Sequence, residues 1–281
     1  MIRNKYKISV NQNFIKEKIE QIEQRSSQMR DKAILTHIFS LIDLTSLNST
    51  DSISKITALT EKVNCISDKF PDLPNVAAIC VFPNFVPTVR KTLTIKKVKI
   101  ASVAASFPAS QTFIDIKIQE VRKVVESGAD EVDIVISLGE FLEGNYELVS
   151  EEIKKIKAVC GDAHLKVILE TGSIEDLSLI KLASFLAMDS GADFIKTSTG
   201  KMEKGASPEA IWVMCEAIKE YYDKNGRAVG IKPAGGISDI STAVNYYLIV
   251  NEILGNDWLK PERFRFGASK LANLLLGEKY F

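Results

Sequence analysis

The chain has 281 residues, 46% apolar and 26% charged, and its 36 Lys and Arg balance 36 Asp and Glu. No basic excess points to nucleic acid, and no apolar run nears the ~20 residues that span a bilayer, so neither nucleic acid nor membrane is an expected partner. The polar first 14 residues lack the apolar core of a secretory signal, so the expected compartment is cytoplasmic, with Cys65, Cys80, Cys160 and Cys215 reduced.

Residues 13–30 open the chain with Phe14, Ile15, Ile19 and Ile22 among Lys, Glu and Gln, the pattern of a charged amphipathic helix. Then short β-branched runs alternate with helical patterns. The runs are 38–44, 76–81, 99–104, 131–137, 165–170, 194–199, 228–233 and 263–268. The helical stretches are 52–63, 86–93, 114–127, 146–160, 175–190, 208–224, 240–254 and 270–276. Repeated strand–helix units imply parallel strands with right-handed crossovers. Eight units in this length predict the α/β class and a (β/α)8 TIM barrel with an N-terminal helical extension. An open doubly wound sheet would carry a GxGxxG first turn, and none exists.

No linker or low-complexity tract divides the chain. One domain is expected: an extension over 1–36, a barrel over 37–276 and a tail over 277–281. Ser127-Gly128-Ala129-Asp130 and Ser190-Gly191-Ala192-Asp193 are similar junctions. In each, Gly is expected to end a helix in the left-handed region just before a strand.

Only two histidines are present, His37 and His164, far apart, with no HExxH, so no His-rich metal site is expected. Chemistry then rests on Lys, Asp, Glu, Ser or Thr. The informative residues are charges inside apolar strands: Asp133, Lys166, Lys196 and Lys232. Barrel strands are covered on both faces, and Lys and Asp are rarely buried unless paired. Strand-end snorkelling explains any one of them. Four on strands four to seven point to a cluster near the C-terminal mouth.

A lysine is a nucleophile only when neutral, and its free pKa is ~10.4. Burial and a neighbouring ammonium both disfavour the charged form. Clustered lysines therefore suit Schiff-base chemistry on a carbonyl. Pro233-Ala234-Gly235-Gly236 leaves the seventh strand, and Phe266-Gly267-Ala268-Ser269 the eighth. Those two loops commonly bind phosphate in such barrels.

These residues resemble the deoxyribose-phosphate aldolases, a class I, Schiff-base family. The resemblance is carried by Asp193-Phe194-Ile195-Lys196-Thr197-Ser198-Thr199-Gly200 and by Gly230-Ile231-Lys232-Pro233-Ala234-Gly235-Gly236. Leu165-Lys166-Val167-Ile168-Leu169-Glu170-Thr171-Gly172, Glu131-Val132-Asp133-Ile134-Val135-Ile136, Ile42-Asp43-Leu44-Thr45, Cys80-Val81-Phe82-Pro83 and Phe266-Gly267-Ala268-Ser269 match in order. The match covers residues 38–276.

The resemblance implies reversible cleavage of 2-deoxy-D-ribose 5-phosphate to D-glyceraldehyde 3-phosphate and acetaldehyde, a step of deoxyribonucleotide catabolism. It implies Lys196 as the imine lysine and Lys232 as the neighbouring ammonium. Asp133 is implied as the proton relay with Lys232 and a water, and Lys166 as part of the same cluster. Thr199, Gly200, Lys201, Gly235, Gly236, Gly267 and Ser269 are implied at the phosphate end. Asp43, Thr45 and Cys80 are implied around the sugar. Neither metal nor cofactor is implied, because the protonated imine is itself the electron sink. The same lysine chemistry also fits another class I aldolase or a transaldolase acting on a phosphosugar.

Two positions depart from the family pattern: Ser137 stands where Asn is common, and Lys270 where a second Ser is common. Tyr280 is a candidate to reach the mouth as a proton donor, with a frayed tail as the plainer alternative. A homodimer is left open, with the N-terminal helix and Tyr246-Tyr247-Leu248-Ile249 as candidate contacts.

Overall fold

The strands form where β-branched and apolar residues predominate, with single charges set among them. They are β1 (Ile42–Thr45), β2 (Ala78–Val81), β3 (Lys99–Val103), β4 (Glu131–Val135), β5 (His164–Ile168), β6 (Phe194–Lys196), β7 (Gly230–Lys232) and β8 (Phe266–Ala268). A computed structural model describes residues 2–26, 29 and 31–281. All eight strands lie in one parallel sheet, in the order β7-β6-β5-β4-β3-β2-β1-β8. Single bridges Ile231–Phe264 and Ala234–Gly267 join its two ends, so the barrel is nearly closed. This is the expected (β/α)8 architecture.

Helices return on the outside, and their starts are chemically marked. Ser52, Asp176, Ser207 and Asp239 cap helices by accepting from Lys55, Ser178, Ala210 and Thr242 N–H groups. The two similar junctions fold alike. Gly128 (φ +100°) and Gly191 (φ +103°) end helices in the left-handed region. Ala129 N–H then reaches the Val124 carbonyl, and Ala192 N–H reaches that of Ala187. The aspartates that follow also act alike. Asp130 accepts the Ile100 N–H at 2.8 Å, and Asp193 accepts the Leu165 N–H at 2.8 Å.

The strand boundaries differ from expectation in one informative place. Residues 38–40 close a helix, Lys32–Ser40, and only 42–45 are strand. Asp31 caps that helix, and Ile38 and Phe39 are its buried face. The expected boundary between extension and barrel thus falls inside a helix. Strands β6 to β8 are short, yet just past β6 the Thr197 N–H still reaches the Lys232 carbonyl at 3.1 Å, and its hydroxyl donates to the Ala234 carbonyl at 3.0 Å.

The N-terminal helix spans Gln12–Ser26; of its expected continuation, residues 27, 28 and 30 lie outside the described ones. Ile15, Ile19 and Ile22 are buried, packed toward helices Pro208–Asn225 and Ile240–Leu254. The stretch 246–249 is also buried within this chain. Tyr246 donates to the Ala206 carbonyl at 2.9 Å, and the Tyr247 hydroxyl lies 2.9 Å from His37 Nδ1. The stretch 246–249 and the isoleucine face of the N-terminal helix are thus taken up by packing inside the chain, while Phe14 of that helix stays exposed. Tyr280 donates to the Lys62 carbonyl at 3.0 Å and packs edge-on to Phe70. Lys62 is in the last turn of the helix after β1, so Tyr280 docks at the end opposite the mouth and is neither a frayed tail nor a mouth residue.

Candidate active site

Side chains alternate along a strand, so charges two apart share a face. Glu131 and Asp133 of β4 face inward together. So do Phe194 and Lys196 of β6. In register, Asp133 lies beside Lys166, and Lys196 beside Lys232. Gly230 lies beside Phe194. A side chain on Gly230 would overlap the Phe194 ring, so the missing Cβ is what admits it. That ring lies under the charges, with its centroid 5.7 Å from both Lys166 Nζ and Arg265 Cζ.

Above it the charges form one connected layer. Lys196 Nζ donates to Asp133 Oδ2 at 2.8 Å, and Lys232 Nζ donates to the same oxygen at 2.8 Å. Lys232 also approaches Asp43 Oδ2 to 2.5 Å, as an ion pair outside hydrogen-bond alignment. Lys166 donates to Asp133 Oδ1 at 3.2 Å and makes a short contact with Glu131. Arg265 bridges Asp43 Oδ1 at 2.6 Å and Glu131 Oε1 at 2.8 Å. All seven side chains are buried.

Burial lowers the pKa of Lys196, and the Lys232 ammonium adds to the lowering while Asp133 opposes it. Burial pulls in the same direction at Lys232, but Asp133 and Asp43 outweigh it and raise that lysine. Lys166 is likewise raised by Asp133, Glu131 and Asp43 against its burial. Burial would raise Asp133, yet Lys166, Lys196 and Lys232 hold it well below its ordinary value. The two lysines that share one oxygen therefore move in opposite directions.

Over this layer opens a cleft of about 240 Å³. Its lining brings together the expected Thr45, Lys196, Thr199, Gly200, Lys201, Gly235, Gly236, Gly267 and Ser269, with Lys270 beside them. Gly235 (φ +79°) and Gly236 (φ +76°) turn the loop after β7 through the left-handed region, which needs glycine. Lys201 reaches across the mouth to the Leu47 carbonyl. Asp43, Asp133, Lys166 and Lys232 are not part of the lining and form the layer below. Cys80 is fully buried, and burial pushes its thiol pKa up.

Three residues of the site escaped the sequence reading. Arg265 and Glu131 complete the charged layer, and both were visible as charges within expected strands. Glu170 is buried in the left-handed region (φ 55°, ψ 54°). It accepts the Thr199 hydroxyl at 2.6 Å and the Thr199 N–H at 3.2 Å. Thr199 in turn accepts the Lys201 N–H at 3.1 Å. Glu170 was also visible as the charge that closes the expected run 165–170, but nothing in the local pattern marked its left-handed backbone. Ser137 belongs to a separate buried group: it accepts from Lys117 Nζ at 2.9 Å and donates to Glu152.

The chain is similar to known proteins. The family described as DeoC/LacD family aldolase matches residues 37–255. The human deoxyribose-phosphate aldolase is 39% identical over 282 residues, covering 94% of this chain and 87% of its own length. The Bos taurus deoxyribose-phosphate aldolase is 38% identical over the same span. The tetrameric deoxyribose phosphate aldolase of Aeropyrum pernix is 25% identical, with a TM-score of 0.67 over 91% of this chain and 96% of its own. A nearly closed parallel barrel, a lysine-bearing cleft and a family match over most of the chain lead to one conclusion: the chain belongs to the DeoC/LacD family of aldolases.

Proposed function

We propose that this aldolase reversibly cleaves 2-deoxy-D-ribose 5-phosphate to D-glyceraldehyde 3-phosphate and acetaldehyde through a Schiff base on Lys196. The observation that carries the reading is the position of Lys196. It lines the floor of the cleft while its amine rests on Asp133, and glycines and Lys201 line the same cleft. The names of the human and bovine relatives support the substrate.

In the cleavage direction, neutral Lys196 attacks C1 of the open-chain sugar. The carbinolamine takes up a proton and loses water to give the protonated imine. The C3 hydroxyl gives up its proton as the C2–C3 bond breaks, and the bonding pair flows into the imine to form an enamine. D-Glyceraldehyde 3-phosphate departs. Protonation of the enamine at C2, then water addition, releases acetaldehyde and restores Lys196. Asp133 and Lys232 move the protons, since their contact at 2.8 Å is within proton-transfer reach. Lys166 holds Asp133 from its other oxygen. Gly200, Gly235, Gly236 and Ser269 receive the phosphate through N–H groups and Lys201 through its ammonium, while Thr199 and Gly267, whose N–H groups are bonded to Glu170 and Pro233, shape that end of the cleft. Thr45 lines the sugar end, with Asp43 and Cys80 buried beneath the cleft. Residues 1–281 are read as one domain acting in the cytoplasm, within deoxyribonucleotide catabolism.

The test is reductive trapping. Acetaldehyde with borohydride should leave an ethyl group on Lys196, located by peptide mass analysis. Modification of a different lysine, or none, contradicts the assignment. Stronger trapping with dihydroxyacetone phosphate than with acetaldehyde would move the reading to another phosphosugar aldolase.

A further inference from the structure

The charged layer has an uneven count. Its cations are Lys166, Lys196, Lys232 and Arg265; its anions are Asp43, Glu131 and Asp133. Four against three leaves one surplus positive charge if every group is ionised. A buried net charge is expensive, and the cheapest relief is loss of one proton. Arginine does not give up its proton in proteins.

The three lysines are not equivalent. Lys166 faces Glu131, Asp133 and Asp43, the last at 3.8 Å. Lys232 faces Asp43 and Asp133. Lys196 faces Asp133 alone, on an oxygen it shares with Lys232. Lys196 is therefore the lysine that loses least by becoming neutral.

We propose that Arg265 is a positioning residue that makes Lys196 the surplus cation of the layer, and so keeps it uncharged and nucleophilic. The proposal rests on Lys196 being the Schiff-base lysine. Arg265 lies just before β8 and does not line the cleft. It acts through Asp43 and Glu131, whose oxygens it occupies from below. With Arg265 absent, three lysines would face three carboxylates, and a charged Lys196 would complete a neutral layer.

The groups around Lys196 are few enough to name. Asp43 comes from β1, Cys80 from β2, Glu131 and Asp133 from β4, Lys166 from β5, Lys232 from β7, and Arg265 from the approach to β8. The inward residues of β3, Ala101 and Val103, carry no charge. The Cys80 thiol is pushed up by burial and stays neutral. Lys201 lies at the rim, with its ammonium on the Leu47 carbonyl.

The experiment reads the acid limb of kcat/KM for 2-deoxy-D-ribose 5-phosphate, together with the pH dependence of borohydride trapping by acetaldehyde. Arg265→Met should move both limbs to higher pH by about one unit or more, with about tenfold less activity below the new limb and recovery above it. Glu131→Gln leaves four cations over two carboxylates, so it should move the limbs the opposite way. The Arg265→Met/Glu131→Gln pair restores a surplus of one and should return the limbs toward wild type. A purely structural arginine would lower turnover equally at every pH, and that outcome overturns the proposal. So do shifts of the same sign in the two single variants. If Arg265→Met does not fold, an upward or absent shift in Glu131→Gln is enough to reject it. Trapping in the wild type checks Lys196 separately, so failure of the assignment and failure of the charge count are told apart.

Discussion

Lys196 and Lys232 meet at a single atom, Oδ2 of Asp133, each at 2.8 Å. The carboxylate is the hinge between an amine lowered in pKa and one raised. Asp133→Asn keeps the shape but removes the charge and the proton-accepting oxygen. Turnover should fall by about 10²–10⁴, the usual worth of a placed acid–base group. Steady-state kinetics decide it, and a kcat within tenfold of wild type would exclude the relay.

Glu170 holds the end of the loop that bears Thr199, Gly200 and Lys201. A non-glycine residue in the left-handed region stores about 1 kcal/mol or more of strain, so its bonds to Thr199 have a strained backbone to hold. Glu170→Ala should raise KM for 2-deoxy-D-ribose 5-phosphate about tenfold, a loss of ~1.4 kcal/mol of binding. Cleavage of unphosphorylated 2-deoxyribose should change little. Equal losses on both sugars would count against a role at the phosphate end.

Gly267 marks where the backbone passes closest to the lysine layer. A Cβ there would lie 3.1 Å from Lys232 Cε and 2.8 Å from Ala234 Cβ. Gly267→Ala should cost about 1–3 kcal/mol by overpacking, and slow turnover by displacing Lys232. Gly139→Ala is the control: its Cβ meets only Gln111 Nε2 at 4.0 Å, on a helix where Ala is favoured. Thermal melts and kcat of the two variants separate local crowding from a general loss of glycine.

The layer also sets the acid tolerance of the fold. Burial would raise Asp43 and Asp133, but the lysines, with Arg265 at Asp43, hold both below the ordinary carboxylate range. Depressed folded values mean the unfolded chain binds protons first. The stabilisation is therefore whole above the unfolded pKa of ~3.9 and is lost as pH falls through the folded values. Urea midpoints should hold between about pH 7 and pH 5, then fall steeply below about pH 4. Asp43→Asn should flatten that fall; an unchanged slope would contradict the assignment.

Much of the barrel was legible because its strands lie in largely apolar runs that alternate with helical patterns. The exception at 38–41 is physical. Ile38 and Phe39 are the buried last turn of a helix, and so short an apolar run reads equally as strand. Lys166, Lys196, Lys232 and Asp133 were legible because a charge inside a covered strand has few explanations. Glu131 and Arg265 sit at or beside strand starts, where a charge normally reaches water. Their burial follows from partners far away in the chain: Arg265 meets Asp43 and Glu131 across 222 and 134 positions. Glu170 was hidden for another reason, since its left-handed backbone follows from tertiary contacts that no local pattern encodes.

The carboxylates of Asp130 and Asp193 look like ordinary junction residues, yet each fastens to the main chain of the strand before its own. Asp193 grips the Leu165 N–H from the root of β6. A one-residue slip would turn every side chain of a strand to its other face. With Leu165 anchored, Lys166 can only project toward the axis, and the count outward along β6 delivers Lys196 to the floor of the cleft. These two aspartates are the zero marks of the ruler on which the lysines are measured. Errors made at the base of the barrel would otherwise be read out as misdirected chemistry at its mouth.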